Sequence, residues 1–201
     1  MFKKHFIIIA GPNGAGKSTS SKGILKEYQI EAFDWDKHFE NYWKSFSYDS
    51  NPTLIHGISD RVTSEFEEHL NTAFNQAKNV AYETNFHTDF HFTRNTKAKT
   101  LGYRTSLIFF LISSPDICEH RVAMRVSQGG HYVDRATIDY RFNKGLENLN
   151  KAVLEFDAVL ILDSSKDFQI EVAAMITDGK VITISNNFPK ELKSRLSNIY
   201  F

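Results

Sequence analysis

Short apolar runs alternate along the chain with longer stretches whose apolar residues recur every three or four positions. The runs are HFIIIA (5–10), NVAYET (79–84), TSLIFFLI (105–112), AVLILD (158–163) and KVITIS (180–185), with a weaker one at QIEAFDWD (29–36). They lack the polar alternation of a strand with one wet face, which predicts strands buried on both sides of a parallel sheet. Between them, Val62, Phe66, Leu70, Phe74 and Ala77 mark one helix face. Ile138, Phe142, Leu146, Leu149 and Val153 mark another, opened by Asp134. Ser114-Pro115-Asp116 reads as a cap, a first-turn proline and an acid at the positive end of a helix, which Gly129-Gly130 closes. FPKELKSRL (188–196) predicts a proline-started basic terminal helix. Residues 37–58 mix aromatic and polar side chains, as a lid or substrate segment does and as an irregular packed loop also does. No repeat or linker divides the chain, so the pattern predicts one α/β domain over 1–201, a parallel sheet with helices on both faces.

The first strand runs straight into GPNGAGKS (11–18), which fits G-x-x-x-x-G-K-[ST]. Glycines allow successive backbone N–H groups to turn inward around phosphate oxygens, and a helix over 17–28 would add its unpaired first-turn N–H groups. Gly11, Asn13, Gly14, Ala15, Gly16, Lys17, Ser18 and Thr19 therefore form the candidate nucleotide-binding set. Lys17 is suited to the β- and γ-phosphates and Ser18 to Mg²⁺, which predicts a P-loop NTPase that holds a nucleoside triphosphate. No NKxD-like element for guanine is present, which favours ATP. An ABC-type ATPase is excluded, because VSQGGH (126–131) is no signature helix start and LILDSS (160–165) lacks the following glutamate.

Composition narrows the partners. The chain has 201 residues, with 24 Lys and Arg against 24 Asp and Glu, so the formal net charge is zero. That balance argues against a nucleic-acid or membrane-surface protein, and no run is long enough to span a bilayer. Cys118 is the single cysteine, which excludes a disulfide framework and points to a reducing, cytoplasmic setting.

A small-molecule kinase also needs acids and arginines near the transferring phosphate. Asp36 and Glu83 end two of the predicted strands, where ligands bind in open parallel sheets, and Asp34 competes with Asp36 as the base. Arg121 and Arg125 share one helix face, and Arg135 and Arg141 follow in the next helix. The segment 119–145 reads as a lid with a bend at Gly129-Gly130-His131, where His131 shapes the turn. His87 and His91 stand four apart, but no third metal ligand accompanies them, so packing or capping is the expected role.

IAGPNGAGKST, YETN, RVAMRVSQGGHYV, YRFNKGLENL and LILDSS together resemble the zeta-toxin-like P-loop kinases, in the chromosomal branch often labelled predicted ABC-type ATPase. The resemblance runs from residue 5 to about 190 and implies a nucleotide-kinase-like fold that uses ATP and Mg²⁺. Zeta toxins phosphorylate a hydroxyl of UDP-N-acetylglucosamine, and the family implies an antitoxin-like protein partner. By position, Asp36 matches the substrate-activating aspartate, and Glu83 with Thr84 the acidic strand end on the substrate side. Arg125 and Arg141 match the phosphate-clamping arginines, and Arg121 is a further substrate-side candidate. Asp163 and Ser164 fall where a late strand leads to a loop near the adenine. The departures lie on the acceptor side: Asp34-Trp35-Asp36 for Asn-x-Asp, Glu83-Thr84-Asn85 for Glu-Thr-Thr, and Tyr140-Arg141 for paired arginines. They leave the acceptor itself open, together with a second reading as an ATP-binding regulatory module held by a protein partner.

Overall fold

A computed structural model describes residues 4–127, 132–167 and 169–201. The six apolar runs and one further strand build a seven-stranded sheet in the order β2-β3-β1-β4-β5-β6-β7. Five strands are parallel: β1 (His5–Ala10), β2 (Ala32–Asp34), β3 (Val80–Thr84), β4 (Arg104–Leu111) and β5 (Ala158–Asp163). Two more continue the sheet antiparallel, β6 (Glu171–Thr177) and β7 (Lys180–Ile184). The KVITIS run is thus a strand, but an antiparallel one with Ile182 exposed, not one buried on both faces. The strand β6 has no counterpart in the predicted runs, because EVAAMIT buries only Ala173, Ala174 and Ile176 and its alanines carry little strand signal.

The helices are α1 (Lys17–Leu25), α2 (Trp35–Ser45), α3 (Pro52–Asn75), α4 (Phe90–Thr100), α5 (Pro115–Ser127), α6 (Arg135–Glu155) and the single turn α7 (Lys190–Lys193). The helix predicted over 17–28 ends at Leu25 and continues as a 3₁₀ turn over Lys26–Tyr28. Residues 37–58 lie largely in α2 and α3, not in an irregular loop. Trp35, Phe39 and Trp43 recur every four residues along α2, and Asn51 caps α3 by accepting from Thr53 N at 2.9 Å. Ala77 falls beyond α3 with φ 54°. Asp134 caps α6 by accepting from Thr137 N at 2.9 Å. The basic terminal helix shrinks to α7, and the bend predicted at Gly129-Gly130-His131 lies outside the described residues.

The chain crosses from β1 to β2 in one direction along the sheet, and from β2 through β5 in the other. Right-handed crossovers then put α1 on one face and the later helices on the opposite one. Contacts agree: Arg94 of α4 pairs with Glu67 of α3, and Asn95 of α4 donates to the Glu155 carbonyl at the end of α6. The central strands carry the core, where Phe6, Ile8, Ile9, Leu107 and Phe110 are wholly buried. Each such side chain contributes ~1.5–3 kcal/mol by leaving water. This rigid centre fixes the carboxyl ends of β1, β2, β3 and β5 along one edge of the sheet. No helix among the described residues is long and apolar enough to cross a membrane.

Candidate active site

The loop after β1 needs glycine at its first position. Gly11 has φ 143°, and a Cβ there would stand 2.5 Å from the Phe110 carbonyl oxygen. Gly16, at φ 81°, caps α1 without any side-chain bond, so the first-turn N–H groups of that helix are not claimed by a cap. Such a terminus attracts anions. Lys17 Nζ donates to Gly11 O at 2.8 Å, Pro12 O at 3.0 Å and Asn85 Oδ1 at 3.3 Å. All three partners are neutral oxygens, so the ammonium charge is left to be met by an anion. Burial pulls its pKa below the usual lysine value, while Asp36, Glu83 and Asp34 push it back up.

Asp34 and Glu83 are register partners on β2 and β3. Ser18 Oγ lies 2.7 Å from Glu83 Oε2 and 3.1 Å from Asp34 Oδ2. A hydroxyl between two carboxylates is an all-oxygen donor set of the kind Mg²⁺ prefers. Asp36 does not end a strand. The extended run stops at Asp34, whose carboxylate accepts from Lys37 N at 3.1 Å and starts α2, which leaves Asp36 in the first helical turn. Its Oδ2 lies 3.5 Å from Asn85 Nδ2, so Asn85 links Lys17 to Asp36. Sequence reasoning registered Asn85 only as a departure in YETN; what makes it a bridge is a contact 68 residues away along the chain.

The arginines separate. Arg141 on α6 donates to Asn13 Oδ1 at 3.2 Å, which brings it to the glycine loop. Arg121 on α5 reaches Gly14 O at 3.4 Å, Ser164 O at 2.8 Å and Ser165 O at 3.3 Å, and pairs with Asp167. It therefore ties the glycine loop to the loop after β5. Arg125 is exposed one turn further along α5. Arg135 is surrounded by Asp116, Glu119 and Asp139, which joins α5 to α6.

After β5, Asp163 Oδ1 accepts from Ser165 N at 2.9 Å, and the buried Ser164 bonds Leu111 O through both its amide and its hydroxyl. Thr19 is exposed at the start of α1. Thr84 turns back from the site: its Oγ1 accepts from Phe86 N and lies 3.1 Å from His91 Nε2. His91 is enclosed by the hydroxyls of Tyr82, Thr84 and Thr88, and burial, Arg94 and His87 pull its pKa down to about 3. That is a packed, neutral histidine.

A family model described as zeta toxin matches residues 2–172. Among solved structures, the PezAT chromosomal toxin–antitoxin system of Streptococcus pneumoniae is similar at 17% identity with a TM-score of 0.62, over 85% of this chain and 71% of that one. A structure described as a putative kinase from Chloroflexus aurantiacus has the same identity of 17% and TM-score of 0.62, over 85% of this chain and 91% of its own. The AvrRxo1-ORF1:-ORF2 structure with ATP aligns at 13% identity and a TM-score of 0.72, over 97% of this chain but only 64% of that one. No curated protein matches the chain.

Proposed function

The chain belongs to the zeta toxin family, and on that premise we propose that it is an ATP-dependent kinase that phosphorylates a hydroxyl of a small acceptor. The observation that carries this reading is the chain of contacts from Lys17 through Asn85 to Asp36, beside Ser18, Asp34 and Glu83. It puts a phosphate-seeking cation and a candidate base at opposite ends of one bridging amide. The residues fit ATP and Mg²⁺: Lys17 has only neutral partners, a Cβ at Gly11 would collide with Phe110, and Ser18 stands between two carboxylates.

Bound ATP supplies the phosphoryl group, and Mg²⁺ bound with it neutralises part of its charge. Ser18, Asp34 and Glu83 would hold the metal, and Lys17 with the loop amides the phosphates. Asp36 orients the acceptor hydroxyl and takes its proton, with Asn85 fixing the carboxylate's direction. Arg141, anchored on Asn13, and Arg125 meet the charge that builds on the transferring oxygens. Arg121 holds the nucleotide side together, with Asp163 and Ser164 shaping the adenine loop. The work is positioning and electrostatics. The acceptor is a sugar nucleotide such as UDP-N-acetylglucosamine, acted on in the cytoplasm.

Asp36→Asn tests the central role. It should bind ATP as the wild type does and lose phosphate transfer to a sugar-nucleotide-containing metabolite extract by at least about a hundredfold. Undiminished transfer of label from γ-labelled ATP removes Asp36 from the role. A second reading is favoured by the likeness to the PezAT toxin–antitoxin and AvrRxo1-ORF1:-ORF2 structures. In it, the chain is an ATP-binding module controlled by a protein partner. Robust turnover of a defined metabolite by the isolated chain speaks against that reading.

A further inference from the structure

The turn that follows β3 is held in a conformation that costs energy. Phe86 has φ 58°, a left-handed backbone that a bulky side chain rarely adopts and that survives only where its surroundings enforce it. Here they do. Phe86 N donates to Thr84 Oγ1 at 3.0 Å, and the Phe86 ring is wholly buried against His91. From α6, the buried Asn148 donates to the carbonyls on both sides of residue 87, Phe86 O at 2.9 Å and Thr88 O at 3.4 Å. Gly145, one turn earlier on the same helix, lets the Asn85 carbonyl sit where a Cβ would be 3.2 Å away. The turn so enforced presents two polar side chains: Asn85, which bridges Lys17 and Asp36, and His87.

The ring of His87 meets Tyr140 edge-on, with centroids 5.9 Å apart, next to Arg141 in the chain. Its Nδ1 is shut off from solvent and has no hydrogen-bond partner among the described residues. An unpaired N–H is rarer and costlier to bury than an unpaired acceptor, so the geometry assigns the proton to Nε2. Burial and Arg141 lower the pKa of the imidazole, against the pull of Asp36, so the ring is neutral at pH 7. A half-buried neutral ring with one nitrogen committed inward has a single donor left to offer, the Nε2–H.

We propose that His87 reads the acceptor: held beside Asp36 and Arg141 by the strained turn, its Nε2–H donates a hydrogen bond to a hydroxyl or phosphate oxygen of the molecule being phosphorylated. The proposal rests on the kinase reading and adds a residue to its acceptor side. It also explains why the fold maintains an unfavourable backbone at Phe86, since a relaxed turn would swing both Asn85 and His87 away from the carboxylate of Asp36.

Two variants separate reading from packing. His87→Phe keeps a ring against Tyr140 and has no nitrogen, whereas His87→Gln loses the ring and keeps an N–H near the position of Nε2. Both are compared with the wild type for transfer of label from γ-labelled ATP to a metabolite extract containing sugar nucleotides, at a series of extract dilutions. Thermal melts and binding of a fluorescent ATP analogue check the fold and the nucleotide half. The expected result is ATP binding within about twofold in all three proteins, with half-maximal transfer at on the order of tenfold more extract for the phenylalanine variant. The glutamine variant should recover most of that loss. A phenylalanine variant that transfers as well as, or better than, the glutamine variant overturns the proposal and leaves the kinase reading standing. A wild type that labels nothing overturns both.

Discussion

His91 offers a measurable consequence of burial at a single residue. Its ring is surrounded by three hydroxyls, and its pKa falls from the ordinary 6.5 to about 3. Between those two values the unfolded chain binds a proton that the folded chain refuses. Stability from this group is therefore fully present above about pH 6.5 and declines as the pH falls toward 3. The decline is about 1.4 kcal/mol per pH unit, or roughly 2 kcal/mol by pH 5. His91→Gln should be less stable than the wild type at pH 7, through lost packing, and should narrow that gap or reverse it at pH 5. Urea melts at the two pH values check this; a gap that stays constant would show that the acid sensitivity resides elsewhere. Such residues are hard to read from sequence. The chemistry of GPNGAGKS is local, because eight consecutive residues carry the phosphate loop. His91, His87 and Asn85 take their meaning from partners that only the fold brings near.

At the scale of elements, α6 does more than cover the sheet. Its apolar stripe of Ile138, Phe142, Leu146, Leu149 and Val153 was legible as a helix face, and all five are buried. What the stripe concealed is Asn148, a buried polar residue within it that pins the turn after β3 from both sides. Asn148→Ala should cost about 1–3 kcal/mol of stability, because two carbonyls lose their donor. It should also reduce phosphate transfer more than ATP binding, because Asn85 and His87 lose their support while the glycine loop does not. Equal losses in the two assays would place the effect in general destabilisation. Four of the parallel strands, β1, β3, β4 and β5, were readable for a physical reason: burial on both faces leaves nearly continuous apolar runs. The strand β6 was not, since it is half wet and alanine-rich, and neither was the early end of β2. There Asp34 could either extend the strand or cap a helix, and the cap won, which moved Asp36 from a strand end into a helical turn. Residues 37–58 were opaque because α2 and α3 pack partly on each other, so their aromatic side chains are half-buried instead of sorted into dry and wet faces.

At the scale of the whole molecule, the family match ends at residue 172, while the sheet continues through β6 and β7. The residues proposed for the nucleotide and the acceptor all come from the matched part, at the carboxyl ends of its parallel strands and the helices that follow. A ligand gripped there should therefore be felt by the whole fold, since the glycine loop grows out of β1 at the centre of the sheet. Anything that binds the folded chain and not the unfolded one adds RT ln(1 + [L]/Kd), which is ~2.7 kcal/mol at a hundredfold excess over Kd. For a domain of this size that corresponds to a rise in Tm of roughly 5–10 °C. Part of the rise should depend on Mg²⁺, because Ser18 with Asp34 and Glu83 forms an oxygen donor set, whereas the hydrogen-bond partners of Lys17 are all neutral oxygens. Thermal melts with ATP, with and without Mg²⁺, divide the two contributions. In the Asp34→Asn, Glu83→Gln double variant the Mg²⁺-dependent increment should shrink or vanish while the ATP increment persists. In Lys17→Ala the ATP increment itself should fall. If the double variant keeps the full Mg²⁺ increment, the metal is held by other groups, and the two carboxylates belong to the acceptor side.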